Sequence, residues 1–325
     1  MTSTSAYQEG IFRSDLVRRV ARWLEGTAHP PIALEISVDR VAGVRFHRNG
    51  SLDGFAIERI AAGSLVPSAI ETNLVNAATV KSAVSSVCVR LGARDEEAAL
   101  LLPDPVIRVF VQHFEDFPRS ASEAIPMLRW KLKKSVPFEV DETLLSYMRQ
   151  PPRADGVDVV TGIARLRIIR EYESLLDTLS LQPGVVLSST LAAITLLDDR
   201  VPTLLARVSG TSLTTAIVRE GVLAGYRCTE LPTHVGEVTP QMLLEEVFPL
   251  AAYYQDTWQE GIQAVRIAGL GARLPEFVRP LEEEFKCEVR SLLSAAQAEG
   301  RIGENARSLA DRELDGLVGW MLHRG

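Results

Sequence analysis

The sequence predicts a bilobed α/β fold in which a mixed sheet with flanking helices is duplicated and the first lobe carries a small α/β insert. Three observations lead to this prediction. A strand–turn–strand–turn–strand pattern occurs near residue 35 and again near residue 207, helical patterns follow both copies, and a compact strand-and-helix segment lies between them. The length of 325 residues and the 46% hydrophobic content suit two or three such units.

The first three-stranded pattern follows a linker over residues 26–31. Short apolar segments alternate with polar turns, and the Asn49-Gly50 pair in the second turn is typical of a β-hairpin. A helical pattern follows the third apolar segment. The predicted strands cover 32–36, 41–46 and 55–60, and the predicted helical stretch covers 67–91.

The insert and the second lobe are predicted from the same kinds of pattern. In the insert we expect strands over 106–113, 142–149 and 157–164, helices over 120–134 and 166–180, and linkers at 117–119 and 150–153. In the second lobe we expect strands over 204–208, 213–219, 222–228 and 264–268, and helices over 240–261 and 275–285. The predicted units are an N-terminal extension with an amphipathic helix (1–30), a first lobe (31–106, resumed at 186–202), an inserted subdomain (107–185), a second lobe (203–305) and a helix closing on the first lobe (306–325).

Composition and charge exclude several classes of function. The net charge of −7 argues against a broad nucleic-acid-binding face. Cys88, Cys228 and Cys287 lie far apart and the five histidines are scattered, so neither a disulfide framework nor a metal site is predicted. No apolar run reaches the length of about 18 residues that a membrane span needs, and we expect a cytoplasmic protein. The basic amphipathic segment 11–25 is expected either to pack on its own domain or to contact an anionic membrane surface peripherally.

Four short motifs follow one another along the chain. They are the helical segment 128–138 ending in Val136-Pro137-Phe138, then Leu181-Gln182-Pro183, then Gly269-Leu270-Gly271 with Leu274-Pro275, and finally a terminal helix over 314–324. In this order they resemble the PilM family, the actin-like cytoplasmic component of the type IV pilus assembly platform. The resemblance covers residues 31–325 and implies an actin-like ATPase fold.

The same resemblance implies partners and a location. A PilM-like protein would be recruited to the inner membrane by the N-terminal cytoplasmic peptide of a bitopic PilN-like protein, bound in a groove between the first lobe and its insert. Other pilus platform proteins and the pilus motor are further implied partners. The expected location is therefore cytoplasmic and peripheral to the inner membrane, with no nucleic acid bound.

The nucleotide motifs of actin-like ATPases are altered in this sequence. Each three-stranded pattern in that superfamily begins with a strand ending in Asp-x-Gly; the matching positions here are Glu35 with Ser37, and Arg207 with Ser209. An arginine cannot ligate Mg²⁺, so Arg207 is expected to take the cation's place and to pair with Glu35. The other candidate cofactor-binding positions are Asp39, Thr211, Gly269 and Gly271.

We therefore predict a non-catalytic scaffold with a degenerate nucleotide cleft, no catalytic residue and no resident cofactor. An ATP-binding or ATPase switch that uses ATP with Mg²⁺ stays open as an alternative, as does the actin-like component of a type II secretion system. A sugar-kinase-like phosphotransferase is disfavoured because it needs intact phosphate loops. The secretion protein GspL carries a transmembrane helix and the division protein FtsA an amphipathic C-terminal helix, and neither feature is seen here.

The insert helix offers a candidate partner-binding face. Arg129, Trp130, Lys133 and Lys134 make this helix more basic than is usual in the family. The functional interpretation is a surface for an acidic partner or for lipid. The structural interpretation, which the sequence alone favours, is a solvated basic face with Trp130 and Leu132 pointing inward.

Overall fold

The structure is a computed structural model that describes residues 30–47, 50–198 and 200–322. The predicted helix over 11–25, Asn49 of the predicted hairpin turn and the last three residues lie outside the described part of the chain. The strands, in chain order, are β1 (Ile32–Ile36), β2 (Arg40–Phe46), β3 (Leu52–Arg59), β4 (Glu97–Leu102), β5 (Arg108–Phe114), β6 (Thr143–Arg153), β7 (Gly156–Arg165), β8 (Gln182–Ser188), β9 (Thr203–Ser209), β10 (Ser212–Arg219), β11 (Val222–Glu230), β12 (Ala264–Ala268) and β13 (Glu288–Ser291).

Nine α-helices of the described residues accompany these strands. Short 3₁₀ turns connect several of them, among them Asp104–Val106 directly after β4. The α-helices of the described residues are α1 (Ala77–Arg90), α2 (Ala121–Leu132), α3 (Leu166–Glu173), α4 (Ser189–Ala193), α5 (Pro240–Trp258), α6 (Leu274–Phe285), α7 (Leu292–Ala298), α8 (Glu304–Ala310) and α9 (Asp315–Leu322).

Two five-stranded sheets repeat one topology. Their strand orders are β3-β2-β1-β4-β8 and β11-β10-β9-β12-β13. In each sheet three consecutive strands pair antiparallel, and the first of them also pairs parallel with a later strand. The central strands are buried apolar runs, as expected where both faces of a sheet are covered. The predicted duplicated bilobed α/β fold is therefore confirmed.

The insert is a three-stranded sheet of order β5-β7-β6. Helix α2 packs on one face of this sheet through Ala124, Leu128 and Leu132, which recur every four residues and are fully buried. The opposite face joins the apolar core of the first lobe through Val109 and Val160. Four residues of the second sheet also belong to that core, which is continuous between the lobes: Leu205, Ala216, Val218 and Leu223.

The structure corrects three predicted elements. The helix over 166–180 ends at Glu173 and is followed by a 3₁₀ turn at Asp177–Leu179. The helical stretch over 67–91 is too long, because α1 begins at Ala77 and its side-chain cap is Asn76. The predicted linker 150–153 is instead the end of β6. The strand continues because Pro152 and Arg153 pair with Val157 and Gly156 of β7, after a register shift that follows Arg149. Gln150 lies in this irregularity, and its amide accepts a hydrogen bond from Leu223 N at 2.7 Å and donates to Leu223 O at 2.8 Å. The Gln150 side chain thereby satisfies backbone groups at the edge of the second sheet. The prolines are tolerated because β6 is an edge strand of the insert sheet.

Several elements were not predicted at all, among them β4, β8 and β13. The β4 sequence Glu-Ala-Ala-Leu-Leu-Leu suits a helix as well as a buried strand, and periodicity does not separate the two for so short a run. In the described ranges, no helix combines the length and the apolar character needed to cross a bilayer.

Candidate functional site

Two turns that would hold phosphate in a nucleotide-binding relative contact each other. Val38 lies in the turn after β1, between Ser37 and Asp39, and Gly210 lies in the turn after β9, between Ser209 and Thr211. The side chain of Val38 packs against Gly210, where a Cβ would lie 3.0 Å from Val38 Cγ2. Gly210 has a φ of +61°, which an L-residue adopts only with strain. An apolar side chain therefore fills the space between the two turns.

Arg207 lies behind these turns and is 7% exposed. It belongs to β9 of the second lobe, and its Nη2 donates to Glu35 Oε1 of β1 at 3.0 Å. The predicted ion pair between Arg207 and Glu35 is confirmed. Nε donates to Asp315 Oδ2 at 2.5 Å, Nη2 also reaches Ser189 Oγ at 3.0 Å, and Nη1 lies 3.5 Å from Asp104 Oδ2. Three carboxylates of the first lobe thus surround one guanidinium of the second.

Asp104 accepts hydrogen bonds from residues of both lobes. Thr190 of α4 donates through its backbone N at 2.9 Å and its Oγ1 at 2.5 Å, and Ser188 donates through its hydroxyl. From the second lobe, Thr214 Oγ1 donates at 2.9 Å and Tyr226 OH lies within 3.4 Å. A buried carboxylate needs such donors because it has lost its hydration. Asp104 and Asp315 complete the cluster around Arg207. Neither residue is among the site positions predicted from the sequence.

The pKa of Glu35 and the pKa of Arg207 are both raised in this cluster. Burial raises the pKa of Glu35, and the positive charge of Arg207 only partly opposes that effect. Burial by itself would lower the pKa of Arg207, yet the charges of Asp315, Asp104 and Glu35 raise it, so Arg207 stays a cation. Oε2 of Glu35 is buried and has no hydrogen-bond partner among the described residues. A neutral Glu35 would leave two carboxylates around the guanidinium instead of three.

A pocket adjoins the cluster at Gly269 and Gly271, two of the candidate cofactor-binding positions. Its empty volume, including the part open to solvent, is ≈ 360 Å³. Acidic side chains line it and no basic side chain does, which disfavours a polyphosphate. The lining residues are Ile267, Ala268, Gly269, Leu270, Gly271, Leu274, Ser291, Leu293, Glu313 and Asp315.

Gly269 is required by packing at the edge of this pocket. Its φ is +83°, and a Cβ at this position would lie 1.8 Å from the carbonyl oxygen of Val208. Gly271 also has a positive φ, of +50°, but a Cβ there would meet only Glu313 at 3.7 Å. The space beside Gly269 is thus taken by the chain's own backbone.

The predicted partner-binding residues on and directly after α2 differ in their exposure to solvent. Trp130 is 79% exposed, so the expectation that its side chain points inward is wrong, whereas Leu132 is fully buried as expected. Lys133 and Lys134 are exposed at the C-terminal end of the helix. Arg129 is half-buried and donates to Thr143 O at 3.2 Å, which holds the helix on β6.

The comparisons with known proteins show the fold. No protein-family model matches the sequence. No curated protein matches it either. Among solved structures, a chain of the PilM–PilN type IV pilus biogenesis complex is 15% identical, with a TM-score of 0.66 over 90% of this chain and 97% of that one. An actin-like-fold protein of unknown function from Bacteroides thetaiotaomicron (10% identity, TM-score 0.49, 88% and 97% covered) also matches. The cytoplasmic domain of EpsL from the Vibrio cholerae type II secretion system matches less of the chain (13%, 0.45, 73% and 80%). The chain therefore has a fold similar to that of a chain in the PilM–PilN complex, which agrees with the predicted actin-like fold.

Proposed function

We propose that this protein is a non-catalytic scaffold of the type IV pilus assembly platform at the cytoplasmic face of the inner membrane. Its partner would be the N-terminal cytoplasmic peptide of a PilN-like bitopic membrane protein. The similarity to a chain of the PilM–PilN complex, which extends over 90% of this chain, supports the proposal. Binding of further platform proteins and of the pilus motor belongs to the same proposal.

The observation that carries the non-catalytic part is the position of Arg207. Its guanidinium lies among Glu35, Asp104 and Asp315, where a nucleotide-binding relative would place a hydrated metal ion. Mg²⁺ and guanidinium would compete for the same carboxylate oxygens. Polyphosphate would in addition meet Val38 between the turns and two acidic side chains at the pocket. These residues do not fit Mg²⁺·ATP, and the cross-lobe bonds of Arg207 hold the lobes together without it.

A nucleotide titration tests this conclusion. We expect no rise in the melting temperature of the full chain when Mg²⁺·ATP, ADP or GTP is added at millimolar concentration. A ligand present at 100 times its dissociation constant would stabilise the folded state by about 2.7 kcal/mol, which a thermal-shift assay detects easily. A nucleotide-binding actin-like ATPase measured alongside serves as the positive control. An ATP-specific rise would contradict the scaffold and favour a nucleotide-gated switch.

The proposed peptide site lies at the junction of the first lobe and the insert. The segment before α1 is fastened to α3, because Asn73 N donates to Glu171 Oε2 at 2.8 Å and Arg167 donates to Ile70 O at 2.7 Å. On this fastened segment, Val66 and Val75 are 52% and 65% exposed. Apolar side chains held on an ordered backbone lose little entropy when they bind, so they suit anchor residues of a short peptide.

Substitution of both valines tests the site. We expect the Val66→Asp, Val75→Asp double variant to bind the peptide at least about tenfold more weakly, since a charge replaces apolar contact worth about 1.4 kcal/mol or more. Fluorescence polarisation with labelled N-terminal peptides of bitopic inner-membrane proteins from the same organism measures this. Val89→Asp, at a side chain that is 71% exposed on α1, is the matched control. Equal affinity for the control and the double variant would exclude this site, and no binding by the unaltered chain would contradict the proposed partner.

A further inference from the structure

Trp130 is the most exposed of the seven large hydrophobic side chains that are exposed in the described part of the chain. The inner side of α2 is fixed on the sheet by Ala124, Leu128 and Leu132. Trp130 is therefore held outward by the packing of its helix. A tryptophan ring with 79% of its surface in water is costly, and such exposure is typical of an interaction site.

The segment that carries Trp130 is basic, although the chain as a whole is acidic. Residues 121–134 carry four basic side chains and one acidic side chain, whereas the net charge of the chain is −7. Lys131 turns back to the insert sheet, where its Nζ donates to His113 O and lies 3.8 Å from the Phe114 ring centroid. Lys133 and Lys134 directly follow Leu132, the last residue of α2, and both are exposed three and four residues after Trp130. We call Trp130, Lys133 and Lys134 the Trp130 patch.

We propose that the Trp130 patch docks the protein on an anionic membrane surface. Tryptophan rings prefer the headgroup level of a bilayer, and each lysine near an anionic surface contributes about 1 kcal/mol. Protein–protein interfaces are enriched in tryptophan but depleted in lysine, so the combination favours lipid over an acidic protein. The acidic remainder of the molecule would be repelled by the same surface and would orient the patch toward it. This inference does not depend on the proposed peptide partner.

Vesicle binding tests the patch with the full chain. We expect co-sedimentation with phosphatidylglycerol-containing vesicles at low salt, weaker binding to pure phosphatidylcholine, and loss of binding at high salt. Lys133→Gln with Lys134→Gln should weaken the partition coefficient about 30-fold, and Trp130→Ala should also weaken it. The matched controls are Arg94→Gln with Lys286→Gln, which remove the same charge from exposed positions, and Phe248→Ala, at an aromatic side chain that is 51% exposed on α5.

The comparison between patch and control variants decides the proposal, because any binding through other parts of the chain is common to both. All these positions are exposed, and near-ultraviolet circular dichroism verifies that each variant is folded. The proposal is overturned if the unaltered chain does not bind the anionic vesicles, or if patch variants bind as well as controls. It is equally overturned if patch variants bind vesicles normally but lose affinity for a polyglutamate peptide, since the patch would then serve an acidic protein. None of these results depends on the PilN-like peptide.

Discussion

Replacement of Arg207 by alanine should lower the free energy of unfolding by about 3–5 kcal/mol, because it leaves buried carboxylates without their cation. Glu35, Asp104 and Asp315 all face the guanidinium within 3.5 Å. The substitution also removes a link between β9 of the second lobe and three elements of the first. Urea denaturation followed by circular dichroism measures the change.

The stability lost on replacing Arg207 by alanine should grow as the pH rises. Without Arg207 the pKa of Glu35, which burial already raises, rises further. A carboxyl whose pKa is raised in the folded state contributes stability below its unfolded pKa and loses that contribution as pH rises through its folded pKa. The variant should therefore lie closer to the unaltered protein at about pH 5 than at about pH 8.

Two further variants serve as controls for Arg207. Arg207→Lys keeps the positive charge and should lose less stability than alanine. Arg279→Ala removes an exposed arginine that pairs with Glu283 at 2.7 Å on α6, and it should cost much less than Arg207→Ala because solvent screens an exposed ion pair. If Arg207→Ala costs no more than Arg279→Ala, or if its deficit does not grow with pH, the central ion cluster does not hold the lobes as described.

Gly269→Ala should cost more than about 3 kcal/mol. The added Cβ would lie 1.8 Å from Val208 O, a backbone atom that cannot move aside cheaply, and the φ of +83° adds strain of its own. Thermal and urea unfolding measure the loss. Added nucleotide should not change this stability loss, because the added Cβ clashes with the backbone of Val208.

Gly271→Ala is the matched control two residues later. Its φ of +50° carries a left-handed strain of about 1–2 kcal/mol, and its nearest neighbours, the Glu313 carboxylate oxygens, are 3.7 Å away. If both variants lose the same stability, contact between Gly269 and Val208 is not what requires glycine. Normal stability of Gly269→Ala would instead favour a role in ligand binding.

The sequence was most informative where structure depends on neighbours along the chain. Alternating apolar segments and polar turns predicted both three-stranded patterns, and their equivalence placed Glu35 and Arg207 at corresponding strand ends. That equivalence predicted the ion pair, although its partners are 172 residues apart. The resemblance of the motifs implies the actin-like fold from the sequence alone. The peptide partner and the absence of a resident cofactor stay predictions.

The tertiary structure alone decided the rest of the site. Asp104 and Asp315 lie 103 and 108 residues from Arg207, and no local pattern marks either of them as its partner. The outward position of Trp130 follows from which stripe of α2 is buried, and helical spacing permitted more than one stripe. Residues 150–153 resembled a linker because of their prolines, and only the pairing of Pro152 and Arg153 with β7 makes them part of a strand. Local sequence determines which elements form, whereas the chemistry of this site arises from long-range packing, which brings distant side chains into one desolvated space.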